Sequence, residues 1–387
     1  MGKWRNCVIA DIGTVVGGAT PSTKNSANYD DGHIAWITPK DLSTHEGRYI
    51  DRGERNISER GMHSCSTRLL PKNTVLFSSR APIGYIAIAS NELCTNQGFK
   101  SVVPNDDIDP LFLYYLLKYN KEKIENMGSG TTFKEVSGST MKNINVRLPI
   151  DKKEQITIAS ILGALDHRIE LNHTINKNLE EQAQTFFSYI CSQSTKLIPF
   201  TELIDIAGGG TPKTGNIDFW NGEIPFFTPK DVGTPYAITT EKHITEMGLE
   251  HCNSALYPIN TVFVTARGTI GKISISGVPM AMNQSCYALL GKGISQILVY
   301  FYARAVIRSL QHKANGAVFD TIVTRDFETE NICEFDDSTI ASFVEFSESI
   351  YQKILNNTIE TDTLIKLRDT MLPQLLSGKL DISNIHI

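Results

Sequence analysis

Arg80 in "SSRAPIG" and Arg267 in "TARGTIG" stand at corresponding places along the chain, each behind a short β-branched run. A guanidinium is a planar fork of donors, suited to bidentate contact with a guanine edge or a phosphate. The alternative is a structural arginine tying its loop to the Thr-Pro-Lys-Asp turn through a carboxylate. Lys40 and Lys230 each follow a Thr-Pro turn signal, in "WITPKDL" and "FFTPKDV", and are expected to project toward phosphates. Asp41 and Asp231, next in line, are expected to organise the turn by Asx-type hydrogen bonds. Asn96-Gln97 and Asn283-Gln284 carry carboxamides, which pair both edges of adenine or else satisfy buried backbone groups. All of these residue types suit binding or structural hydrogen bonding.

The elements that must position them are written twice. Ile57 to Gln97 aligns without a gap to Ile244 to Gln284, and 16 of the 41 positions are identical. Chance does not give that. "GGATP" at 17–21 matches "GGGTP" at 208–212, and "GSGTTF" at 128–133 matches "ANGAVF" at 314–319, so each copy is a unit of about 140 residues. Within a copy, runs such as "NTVLFSS" and "YIAIA" predict strands, and 109–127 predicts a helix from its apolar spacing. Phe133 and Phe319 are expected in the core.

A group kept in both copies is a poor candidate for choosing different bases. The divergent stretches 21–33 and 212–223 are therefore the expected reading loops, with Lys24, Tyr29, Lys213 and Trp220 as contact residues. A plain solvated loop is the alternative.

Behind each copy lies a long helical segment. Residues 153–190 hold an unbroken 4-3 seam: Ile158, Leu162, Leu165, Ile169, Asn172, Asn176, Leu179, Ala183, Phe186, Ile190. The C-terminal segment repeats it from Phe343 to Leu375, with Asn357 and Thr361 at the same two polar places. Polar seam residues cost stability and fix register. Asn172, Asn176, Asn357 and Thr361 thus predict an antiparallel pair of helices locked near the middle. Two unrelated amphipathic helices would explain the apolar stripes but not the matched polar ones.

Several classes of chemistry find no support. "GGGTPKTG" at 208–215 has Lys213 where a phosphate-binding loop needs its second glycine, so its glycines imply a tight turn or close backbone approach. No Asn/Asp-Pro-Pro-aromatic tetrapeptide, nucleophile triad or metal cluster appears, and no metal is expected. His167 and His173 on the central segment read as solvated or partner-facing. The seven scattered cysteines predict reduced, mostly buried thiols, and no apolar run approaches a membrane span. A cytoplasmic protein is expected. Net charge is −5, but residues 1–150 hold 18 Lys+Arg against 15 Asp+Glu. Nucleic-acid binding would thus need local clustering of charge or a basic partner.

The tandem "GGxTP … TPKD … R-x-x-IG … NQ" units, the helix "ITIASILGALDHRIELNHTINKNLEEQAQTFF" and the tail "TLIKLRDTMLPQLLSGKL" together resemble the specificity subunit of Type I restriction-modification enzymes. The resemblance covers almost the whole chain. It implies an α+β fold: two similar target-recognition domains of mixed α/β structure, separated by two long helices packed as an antiparallel coiled coil, with pseudo-two-fold symmetry. The expected boundaries are 1–150 for the first recognition domain, 151–192 for the central helix, 193–336 for the second domain and 337–387 for the C-terminal helix. The implied partners are double-stranded DNA with a bipartite target, two modification (methyltransferase) subunits and, through the complex, restriction motor and nuclease subunits. S-adenosylmethionine, ATP and Mg2+ would belong to those partners, leaving no cofactor and no catalysis in this chain. The competing reading is a non-catalytic coiled-coil scaffold carrying two protein-binding modules.

Overall fold

A computed structural model describes residues 3–80, 82–129, 134–233, 235–313 and 321–380. The chain divides into two compact units, Met1–Glu170 with Thr363–Ile387, and Leu171–Asp362. Each combines one copy of the repeat with a stretch of both long helices, Lys152–Gln193 and Asp337–Leu376.

In the first unit a five-stranded sheet runs Gly13–Gly17, Lys100–Pro104, Val75–Phe77, Ile86–Ala89, Tyr49–Ile50, antiparallel except for its last, parallel pair. A three-stranded sheet runs Arg55–Ile57, Ile34–Ile37, Cys94–Thr95. The second unit repeats both, with Ile204–Gly208, Cys286–Gly291, Val262–Thr265, Ile273–Ser276, Tyr236–Ala237 in the larger sheet. Its smaller sheet is Lys242–Ile244, Trp220–Phe227, Ala281–Met282. Short strands and matched turns explain the recurrence: the shared "NT" before the third-listed strand places Asn73 and Asn260 at φ of 70° and 71°. Asparagine tolerates that left-handed conformation better than most residues.

One face of the larger sheet is covered by helix. Asp109 caps Pro110–Tyr119 by accepting from the Phe112 N–H at 2.8 Å, and Pro110 supplies a favourable first position. Phe112, Leu113, Tyr115, Leu116 and Leu117 then bury against Val75, Phe77, Ile88 and Val102. The helix expected to run through 127 breaks at Asn120, whose side-chain amide donates back to the Leu116 carbonyl at 2.8 Å before Lys121–Asn126 resumes. In the second unit Gln296–Lys313 covers the corresponding sheet, with Phe301, Tyr302 and Val306 buried beside Val262 and Val264. Burial pushes the thiols of Cys94 and Cys286 up, to about 11 and about 12, so both are protonated packing groups at neutral pH.

Within each unit the two long helices run antiparallel. In the first, Ile158 and Leu162 share one apolar cluster with Leu375, and Asp166 meets Arg368. In the second, Phe186 packs edge-on to Phe343 and Phe346. No seam residue in either helix is fully exposed. Among the described residues no helix is long and apolar enough to cross a membrane.

Candidate nucleic-acid interface

Three strand ends meet at one rim of the smaller sheet in each unit. In the first, Ile34–Ile37 runs out into Thr38-Pro39-Lys40-Asp41, and the parallel strand Cys94–Thr95 runs out into Asn96-Gln97. The antiparallel strand starts at the same rim, with Arg55 opposite Trp36. In the second, Trp220–Phe227 leads to Thr228-Pro229-Lys230-Asp231, Ala281–Met282 leads to Asn283-Gln284, and Lys242 stands opposite Phe226. The topology thus brings together groups that are far apart in each copy.

The Thr-Pro-Lys-Asp turn is held by its aspartate. Asp41 accepts from the Thr38 N–H at 2.7 Å and hydroxyl at 2.6 Å with one oxygen, and from the Glu54 N–H at 2.7 Å with the other. Asp231 does the same with Thr228 at 2.8 and 2.6 Å and with the Glu241 N–H at 2.7 Å. Each aspartate therefore fastens the turn to the neighbouring strand. The glutamates so fixed pair with the turn lysines, Glu54 with Lys40 at 2.7 Å and Glu241 with Lys230 at 3.6 Å. The Glu54 hydrogen bond holds the Lys40 ammonium above its ordinary value, so it stays charged at neutral pH. Both pairs are exposed, and an exposed pair is weak enough for a phosphate to compete with.

The double glycines serve the chain itself. A Cβ at Gly18 would lie 2.1 Å from the Thr95 carbonyl oxygen, and one at Gly209 would lie 2.2 Å from that of Asn283. Only glycine lets the loop lie on the Asn-Gln turn. Across that contact Thr20 donates to the Gln97 amide oxygen and Thr211 to that of Gln284. Both glutamines are exposed, and each keeps its amide NH2 unpaired among the described residues. Asn96 and Asn283 instead use their side-chain oxygens within the turn, accepting from the Gly98 and Ser285 N–H at 2.8 and 3.0 Å.

The two arginines differ. Arg80 lies 3.3 Å from Glu135, whose other oxygen is 3.4 Å from Lys100. The Val136 N–H donates to Ser79 as that of Ile322 donates to Ala266, so Thr321 occupies the place of Glu135. Arg267 is exposed and makes no ion pair among the described residues.

The divergent loops carry a repeated aromatic arrangement. Tyr29 donates to the Pro21 carbonyl at 2.7 Å, meets Trp36 edge-on, and carries the Arg55 guanidinium 4.3 Å over its ring. Trp220 donates to the Lys213 carbonyl at 3.3 Å, meets Phe226 edge-on, and carries the Lys242 ammonium at 5.5 Å. Lys24 and Lys213 are exposed within the same two loops. Arg55, Lys242 and Glu135 are functional candidates that spacing alone does not single out. Glu54-Arg55 and Glu241-Lys242 share the spacing of the gap-free block but lie just before its first residue, so extending the block finds the two cations. Phe133 and Phe319 lie outside the described residues.

The polar seam positions belong to the second unit. The Asn172 side-chain amide donates to Glu360 at 3.0 Å, to Thr361 at 3.3 Å and to the Asn357 carbonyl at 3.4 Å. Asn357 donates to Asn176 at 2.8 Å. The pairs 172–361 and 176–357 interchange when one helix is renumbered onto the other.

The family model described as "Type I restriction modification DNA specificity domain" matches twice, over residues 1–181 and 196–333. The MjaIX specificity subunit of Methanocaldococcus jannaschii, a Type I restriction enzyme subunit, is 31% identical, covering 99% of this chain and 94% of the relative. The HindI specificity subunit of Haemophilus influenzae is 22% identical over 81% of this chain and 88% of its own. The crystal structure of the Type I restriction-modification system S subunit from M. genitalium aligns with a TM-score of 0.64 at 16% identity, covering 97% and 96% of the two chains, which shows the shared fold.

Proposed function

Because this chain belongs to the Type I restriction-modification DNA specificity family, we propose that it is the non-catalytic subunit that reads the DNA target for such a complex. Domains 1–150 and 193–336 each read one half of a bipartite duplex sequence. The helices 151–192 and 337–387 set the spacing between the halves and dock two modification subunits, and restriction subunits join through the assembled complex. Methyl transfer and ATP-driven cleavage, with S-adenosylmethionine, ATP and Mg2+, belong to those partners. The proposed site of action is the cytoplasm.

The observation that carries this reading is the rim constellation present once in each family-matched segment, with the same turn, the same exposed glutamine and different flanking loops. Shared groups such as Lys40, Lys230, Arg80 and Arg267 grip backbone, and the loops bearing Lys24, Tyr29, Lys213 and Trp220 choose bases. Asn96, Gln97, Asn283 and Gln284 shape the turn and donate from it.

Selection of bound duplexes from a random pool, with modification subunits present, tests the reading. It predicts enrichment of a split motif whose binding weakens steeply with salt. Enrichment of no motif would favour the alternative, a coiled-coil scaffold for protein partners.

A further inference from the structure

We propose that Arg55 and Lys242 are specificity-determining cations, each reading a guanine edge in its own half of the target, an assignment that rests on the DNA-reading function above. Both sit on the first residue of the strand that starts at the functional rim, opposite Trp36 and Phe226. Both lie over an aromatic ring carried within a divergent loop, Tyr29 at 4.3 Å and Trp220 at 5.5 Å. Every member of the constellation changes identity between the copies: Tyr to Trp, Trp to Phe, Arg to Lys. The chemical types persist. That is the pattern of a contact kept in place while its selectivity is retuned.

The adjacent carboxylates do not neutralise these cations. Glu54 and Glu241 are their immediate neighbours, yet each is turned to a lysine of the Thr-Pro-Lys-Asp turn, Lys40 at 2.7 Å and Lys230 at 3.6 Å. Arg55 and Lys242 are exposed and form no ion pair among the described residues. Stacking on a ring limits the side chain's freedom without using its outer donors, so less entropy is lost when those donors meet a ligand. Guanine offers O6 and N7 as adjacent acceptors in the major groove, which a guanidinium fork meets with two bonds and an ammonium with a single point charge. The first half is accordingly read more strictly at its guanine than the second.

The test uses the full chain assembled with its modification subunits and compares initial methylation rates on duplexes carrying every single-base change in the wild-type motif. Arg55→Gln is expected to lower discrimination at one guanine of one half by about tenfold, leaving the other half and the salt slope unchanged. Lys242→Gln should do the same in the other half by a smaller factor, and Lys242→Arg should sharpen it. Arg55→Lys keeps a cation on the Tyr29 ring and serves as the variant that preserves packing if Arg55→Gln unfolds. It should retain part of the discrimination.

An Arg55→Lys or Arg55→Gln protein with an unchanged preference at every position would overturn the proposal. So would a uniform rate loss on all sequences with a shallower salt slope, which marks a phosphate contact. If the wild-type complex itself shows no motif, the function assigned above fails first, and this inference with it.

Discussion

Asp166 accepts from the Arg368 guanidinium at 2.8 Å, whereas the positions that the helix repeat sets against them in the second unit are Tyr351 and Ala183. Tyr115 donates to the same carboxylate at 2.7 Å, and Lys118 stands 3.9 Å away. The carboxylate is buried. Removing the closest cation leaves Asp166 with only the Tyr115 hydrogen bond and the more distant Lys118, and breaking such a buried pair costs up to about 3–5 kcal/mol. Arg368→Met should therefore destabilise the first unit by that order, as measured by urea unfolding of the full chain.

Lys118 should behave oppositely. Burial holds its ammonium below the ordinary 10.5, with Asp166 only partly offsetting that cost. The folded state disfavours the charged form, so the penalty is present at neutral pH and relieved as pH rises toward the unfolded value. Lys118→Met is expected to be neutral or stabilising, because Arg368 still serves Asp166. A loss comparable to that of Arg368→Met would show that both cations are needed.

The acid side has the opposite sign. Burial raises the Asp166 value, but Lys118, Arg368 and Tyr115 outweigh it and hold the group below its ordinary 3.8. Its contribution is complete above that value and is lost as pH falls through the lower folded one. Arg368→Met should thus lose its extra instability, relative to wild type, in strongly acidic solution.

Asp41→Ala and Asp231→Ala each remove three accepted hydrogen bonds from one turn. Loss of such a cap costs about 1–2 kcal/mol. Each variant should impair recognition of one half of the target only. Lys40→Ala, by contrast, should leave stability unchanged and reduce the salt slope of DNA binding by about one. Calorimetry and binding at several salt concentrations separate the two outcomes.

Much of this architecture is legible in the amino-acid order alone. Sixteen identities in the gap-free block establish the repeat, and the 4-3 spacing with its matched polar positions establishes the helix pairing. Turn chemistry at Thr-Pro-Lys-Asp is readable because an Asx hydrogen bond is local. Contact across strands is not. Arg55 over Tyr29, Glu135 between Arg80 and Lys100, and Gly18 against the Thr95 carbonyl all join segments with no fixed spacing between them. The break at Asn120 is hidden for a related reason: the apolar pattern continues through it, and only the amide's bond to the Leu116 carbonyl reveals the interruption.

The four polar seam residues give a prediction about both stability and spacing. Asn172→Leu combined with Asn357→Leu should raise the unfolding midpoint, since apolar seam residues are the more stable choice. It should also blur the preferred spacer, because the bonds to Thr361 and Asn176 are lost. A methylation assay on duplexes of graded spacer length reads this out. An unchanged, sharp optimum would mean that register is set elsewhere.

The most direct test of the account is the methylated-base map of cells that hold the modification subunits with and without this chain. One bipartite motif should be methylated only when the chain is present, and should disappear with it. An identical set of methylated sites in both strains would contradict that expectation.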